Sequence, residues 1–154
     1  MPSYSISRST TIDASPAAVH TLISDFHCWQ QWSPWENADS ELQRSYSGAE
    51  SGVGAAYTCA WQAEGQAGES RMSITAATDN QIELKVEFLA PFKADSTVTF
   101  GLAPKGASTE VTWTMSGQRS LAVAAIAKKY VDPALAADFE RGLAQLKTAA
   151  ESPR

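Results

Sequence analysis

Apolar residues recur at every second position over most of this chain and at every third or fourth position in two places, and the switch of period sets out its elements. In residues 3–12, Tyr4, Ile6 and Ile12 stand among polar neighbours, which predicts a first strand with one covered face. Ser15-Pro16 then opens a helix. The serine caps free N–H groups, and a proline in the first turn lacks only a donor that has no partner there. Val19, Leu22, Ile23 and Phe26 form one stripe on it. The stretch from His27 to Trp35 is too interrupted for a long helix and too aromatic for a solvated loop, with Pro34 ending any turn begun near Trp29. Its indoles, Trp29, Trp32 and Trp35, require burial.

Six short β-favouring runs follow, at 41–46, 55–62, 69–78, 81–89, 94–102 and 109–116, punctuated by glycine, asparagine and proline. The short gaps between them predict antiparallel hairpins, because parallel strands need a crossover of about a dozen residues or more. Alternation assigns the faces. Tyr57, Cys59 and Trp61 face inward, as do Met72, Ile74 and Ala76; Ile82, Leu84, Val86 and Phe88; Val98, Phe100 and Leu102; and Val111, Trp113 and Met115. Glu83, Lys85, Glu87, Thr97, Thr99, Thr112 and Thr114 take the solvent face, which leaves the inner face almost wholly apolar.

After Gln118 the chain turns alanine-rich, with a weak helix over 121–131 and a strong restart at Asp132-Pro133. Leu135, Phe139, Leu143, Leu146 and Ala150 make a continuous stripe on that last helix. The inner face of the sheet is the one surface large enough to cover it, so the order of elements predicts an α+β domain.

Composition then narrows the function. A chain of 154 residues suits one domain, here residues 1–154 with an ordered core over 3–150. The charged fraction is 19% and the hydrophobic fraction 44%, yet five Trp, five Phe and four Tyr are present, so the aromatic content is out of proportion to the charge. A net charge of −5 with no basic stripe argues against a nucleic-acid partner. The longest apolar run, residues 121–127, is far below the ~20 residues a membrane span needs, and no signal-peptide pattern opens the sequence; a cytoplasmic location is expected. Cys28 and Cys59 form no ligand motif, and His20 and His27 have no His or Cys at i+3 or i+4, so neither a metal nor another cofactor is expected. His20, off the apolar stripe of its helix, is expected in solvent.

No nucleophile elbow occurs, and Gly48, Gly52 and Gly54 match no phosphate-binding fingerprint, which leaves them as a hairpin connection. The catalytic residues are therefore unknown. Glu69, Arg71, Glu83 and Glu87 have outward parity. Lys93, and Glu64 or Glu69 in the Gly-flanked hairpin, are the groups kept for acid–base work, although exposed surface is the ordinary place for them.

The order of elements, with Trp29-Gln-Gln-Trp-Ser-Pro-Trp35, Tyr46-Ser-Gly48, Gly52-Val-Gly54-Ala-Ala-Tyr57, Trp61, Gly68, Pro91-Phe92, Thr109-Glu-Val-Thr-Trp113 and the segment from Asp138 to Lys147, resembles the polyketide cyclase/dehydrase-like branch of the START-related helix-grip (SRPBCC) superfamily. The resemblance implies a seven-stranded antiparallel sheet curled around a long C-terminal helix, with two short helices between strands 1 and 2 and a cavity between sheet and helix. Trp32 and Trp35 would then stand at the cavity mouth, and Trp61, Met72, Phe88, Trp113, Met115, Phe139 and Leu143 would line it; plain core packing is the alternative for each. The expected function is binding of a small hydrophobic molecule, whether lipid, quinone or aromatic polyketide-like compound, by a monomer or homodimer. The branches of this superfamily supply two alternatives, a cyclase/dehydratase or isomerase and an interaction module of the chaperone-activator type.

Overall fold

Seven strands form where period two predicted them: β1 (Ser3–Ile12), β2 (Gln43–Gly48), β3 (Ala55–Ala63), β4 (Gln66–Thr78), β5 (Gln81–Ala90), β6 (Ala94–Lys105) and β7 (Ser108–Gln118). The helices are α1 (Pro16–Ser24), a 3-10 turn (Phe26–Gln31), α2 (Leu121–Ile126) and α3 (Asp132–Glu151). This computed structural model describes residues 3–33, 43–63, 66–90, 94–118, 121–126, 128–129 and 132–151. The strands make one antiparallel sheet in the order β1-β7-β6-β5-β4-β3-β2, so the first strand pairs with the last and every other neighbour is a hairpin partner. With α3 packed along it, this is the helix-grip α+β architecture.

Element ends and register depart from the alternation at several points; β4, for one, opens at Gln66 rather than at 69. Of the helix expected over 121–131, α2 covers Leu121–Ile126, and residues 127, 130 and 131 lie outside the described residues. β6 continues through Pro104 to Lys105, where a turn had been expected. β6 pairs with β5 as far as Gly101, and Leu102 N still donates to Asn80 O at 2.8 Å, but no β5 residue pairs with Pro104, so a proline without an N–H breaks no ladder bond there. In β4, the register moves from Ile74 opposite Leu84 to Ala76 opposite Glu83, leaving Thr75 as an extra residue. That bulge turns the inward sequence Met72, Ile74, Ala76 into Met72, Ile74, Ala77: Ala76 is exposed and Ala77 packs against the core.

The region around α1 explains two otherwise odd stretches of sequence. Ser15 Oγ accepts from Ala18 N at 3.2 Å, the expected N-terminal cap. The last four carbonyls of an α-helix have no partner within it. Here Trp32 Nε1 donates to Leu22 O at 2.9 Å, Trp29 Nε1 to Ile23 O at 2.8 Å and Gly52 N to Ser24 O at 2.8 Å. The tryptophan segment and the glycine-rich β2–β3 connection thus close the end of one helix. Gly48 is required in that connection: its φ is +73°, and a Cβ would come within 2.1 Å of Gly54 O. His20, expected in solvent, is half-buried and donates from Nε2 to Thr78 O at 2.9 Å.

α3 runs beside β1 in the same direction. Arg8 Nε lies 3.6 Å from Glu140 Oε2, Lys147 Nζ donates to Thr11 O at 3.0 Å, and Asp13 N donates to Glu151 Oε2 at 2.7 Å. The match is metrical: from Glu140 to Glu151 the helix rises about 16 Å at 1.5 Å per residue, and from Arg8 to Asp13 the strand covers about the same at 3.3 Å per residue.

Candidate ligand site

Between sheet and helix the aromatic residues form a connected chain of rings. His27 stacks on Tyr46 at 4.0 Å, Tyr46 on Tyr57 at 5.2 Å and Tyr57 on Phe26 at 5.7 Å between ring centroids. Phe26 meets Trp29, Trp29 meets Trp32 at 4.5 Å, and Trp32 meets Trp113 edge-on at 5.7 Å. Trp113 stacks on Phe139 of α3 at 4.3 Å with 12° between the planes. Phe100 adds edge-on contacts to Trp29 and Trp32. Trp29, Trp32, Phe100, Trp113 and Phe139 are all at most 1% exposed, so this half of the interior is filled with rings.

Toward the other end the cover thins. Along β5, Ile82, Leu84, Val86 and Phe88 share the inner face, and their exposure runs 0%, 0%, 7% and 37%. The neighbouring strands change in the same sense: Ile74 is buried and Met72 half-buried on β4, Tyr57 buried and Cys59 half-buried on β3, Ile6 buried and Tyr4 half-buried on β1. A second bulge pairs Glu69 with Ala90 and Ser70 with Phe88, which leaves Leu89 as the extra residue, 38% exposed. This end carries the apolar surface that α3 leaves uncovered.

The structure therefore divides the expected lining residues. Trp32, Trp113, Phe139 and Leu143 lie in the filled half; Met115, 5% exposed, sits at the boundary; Met72 and Phe88 lie at the thinly covered end. Trp35, Glu64 and Lys93 fall outside the described residues, as does the side chain of Trp61 on β3. Glu69 is half-buried near the second bulge. The inner face is less uniformly apolar than alternation suggested: by register and parity it also carries Tyr4, Arg44, Ser70 and Ser96. Extending the parity of Val98 and Phe100 back by two positions would have found Ser96, and the alternation already contained Tyr4.

Among the described residues, the surface depressions include these two. One, of about 320 Å³, is bordered by the outward Thr75, Glu83, Lys85 and Asp95 and also by Leu84, Ser96 and Gly117; the other, of about 510 Å³, lies between Gln31 and the Arg141–Ala149 part of α3. Both are rimmed by polar groups. Among the described residues, no three His, Cys, Asp or Glu side chains come together as a metal site. The displaced titrations belong to the far end of α3. A hydrogen bond from Lys147 holds the Glu151 carboxyl below its usual range, and the same bond raises Lys147.

The model of one sequence family, polyketide cyclase/dehydrase and lipid transport, matches residues 3–151. The chain belongs to that family. Among solved structures, the helix-grip fold of this family member is shared by protein CV1439 from Chromobacterium violaceum, 18% identical with a TM-score of 0.72 over 97% of this chain and 98% of that one. The KanY protein is 20% identical, with a TM-score of 0.71 over 99% of this chain and 100% of that one. The Aha1 protein of Colwellia psychrerythraea, solved as a dimer, is 18% identical with a TM-score of 0.58 over 96% of each chain. At these identities the likeness is one of fold. No curated protein matches the chain in sequence. Among the described residues, no helix is long and apolar enough to cross a membrane.

Proposed function

We propose that this family member binds a small, largely hydrophobic molecule, a lipid, quinone or aromatic polyketide-like compound, at the thinly covered end of the space between sheet and α3. The observation that carries the reading is the loss of cover along β5, where four inner-face side chains pass from fully buried to 37% exposed within seven residues. Large apolar side chains left open beside a core are the usual wall of a ligand site. Met72, Phe88 and Met115 supply the wall, and the stacked Trp113 and Phe139, with Leu143, supply its floor. Trp32 acts one layer below, holding the 3-10 turn against α1 and the floor. Trp35 and Trp61 complete the set expected from the sequence.

Native mass spectrometry of the purified protein, before and after organic extraction, tests the reading together with a thermal-shift panel of fatty acids, quinones, sterols and aromatic polyketides. The expected result is a bound species lost on extraction, or stabilisation by one class of the panel. No bound species and no stabilisation by any class overturns it.

A further inference from the structure

Tyr4, Gly117 and Ser96 lie side by side on β1, β7 and β6. Tyr4 pairs with Gly117, and the pairing of Thr97 with Ser116 brings Ser96 level with Gly117. All three have inner-face parity: Tyr4 with Ile6, Gly117 with Met115, and Ser96 with Val98. A glycine inside a strand weakens it and marks a place where another group passes closely. Here the group is the Tyr4 ring, since a Cβ on Gly117 would lie 3.1 Å from both Tyr4 Cε1 and Tyr4 Oη. The phenol crosses β7 through that gap and meets Ser96 Oγ at 2.5 Å, joining hydroxyls 92 residues apart in sequence.

We infer that this hydroxyl pair is the polar end of the ligand site and receives a carbonyl, or a similar uncharged acceptor, on an otherwise apolar molecule; the inference rests on the ligand reading above. Either hydroxyl can be the donor between the two; the arrangement in which the phenol, the more acidic, donates to Ser96 Oγ leaves the serine proton to be given to an acceptor. Among the described residues, the sheet neighbours of Ser96 on the inner face, Val86, Val98 and Met115, carry no side-chain oxygen. Ser96 is 7% exposed, and a hydroxyl buried that deeply is costly unless its proton is placed. The pair sits level with Val86 and Met72, where the apolar cover begins to fail, so an apolar body against Met72 and Phe88 can bring a carbonyl to Ser96. None of the sheet neighbours of Ser96 is a cation to meet a carboxylate, and the inner-face Arg44 stands four strands away on β2, so the position suits a neutral acceptor.

The test uses two probes of one shape, 2-acetylnaphthalene and 2-isopropenylnaphthalene, competing with 1-anilinonaphthalene-8-sulfonate on the full chain. The ketone is expected to bind about tenfold tighter than the alkene, the preference a single well-placed hydrogen bond supplies. In Ser96→Ala and in Tyr4→Phe that ratio is expected to fall below about twofold while the alkene binds as before, which also shows that each variant is folded. Equal binding of the two probes by the unaltered protein, or a ketone preference that survives both substitutions, overturns the role of the pair and leaves the ligand reading in place. Failure of both probes and the dye to bind removes the ligand reading itself, and the pair's role with it.

Discussion

The two ends of the space between sheet and helix use the same kinds of side chain for different purposes. At the end near α1, rings pack on rings, and the indole N–H groups of Trp29 and Trp32 close the last carbonyls of the helix. The packed rings of Phe26, Trp29, Trp32 and Phe100 there are at most 2% exposed. At the other end, Met72, Cys59 and Phe88 continue the same inner-face rows with less and less above them. Burial of apolar area contributes roughly 25 cal/mol per Å² only where water is removed, so the first end stabilises the fold and the second, on the proposed reading, leaves part of that stabilisation for a ligand to supply.

Substitutions should separate the two ends by stability. Trp113→Ala removes the ring that joins Trp32 and Phe100 to Phe139 of α3, and a loss of about 3–5 kcal/mol in urea unfolding is expected. A cost below about 1 kcal/mol would mean that the filled end is not the source of stability. Trp32→Phe keeps most of the ring area but strips the donor from Leu22 O, a buried carbonyl at the helix end; about 1–3 kcal/mol should be lost in the same experiment. Phe88→Ala should change stability by less than about 1 kcal/mol, because the side chain is already partly in water, and should weaken hydrophobic ligands far more than it weakens the fold. An unfolding cost comparable to that of Trp113→Ala would erase the distinction between the ends.

The smallest effect lies outside both. Glu151 bonds Lys147 and Asp13 N, and its carboxyl titrates below its unfolded value, so its contribution to stability is present above the unfolded carboxylate range and is lost as pH falls through the native value. Lys147 is raised, so its share is present at neutral pH and is lost only as pH climbs past the unfolded lysine value. Glu151→Gln should therefore be slightly less stable than the parent at neutral pH, with the difference closing on acidification, as followed by thermal unfolding across pH. Both side chains are substantially exposed, which keeps the effect small.

Much of the filled end could be read from sequence. The stripe of Phe139, Leu143 and Leu146 and the parity of Phe100, Val111 and Trp113 depend on local periods of 3.6 and 2, and those residues are buried as the periods require. What periodicity misses is non-local. It gives no reason for Thr75 to bulge, which exchanges Ala76 for Ala77 on the inner face. It reads Gly48, Gly52 and Gly54 as a hairpin connection, whereas Gly52 N also caps a helix that ended at Ser24. Alternation marks Tyr4 and Ser96 as inward, but their meeting across Gly117 depends on β1 pairing with β7, a pairing between the two ends of the chain. The open end is legible only once the register is known, because Phe88 has the same parity as the buried Val86 and differs from it by what stands above it.

The most direct test of a ligand at that end follows the methionine methyl groups by NMR. Two of the three methionines lie along the proposed site, Met72 at its thinly covered wall and Met115 at its inner boundary. With methyl-labelled Met and Ile, titration with a bound hydrophobic ligand should move the Met72 and Met115 signals while Ile12 and Ile23, buried at the other end, stay in place. Shifts at Ile12 and Ile23 with Met72 and Met115 unchanged would contradict the account.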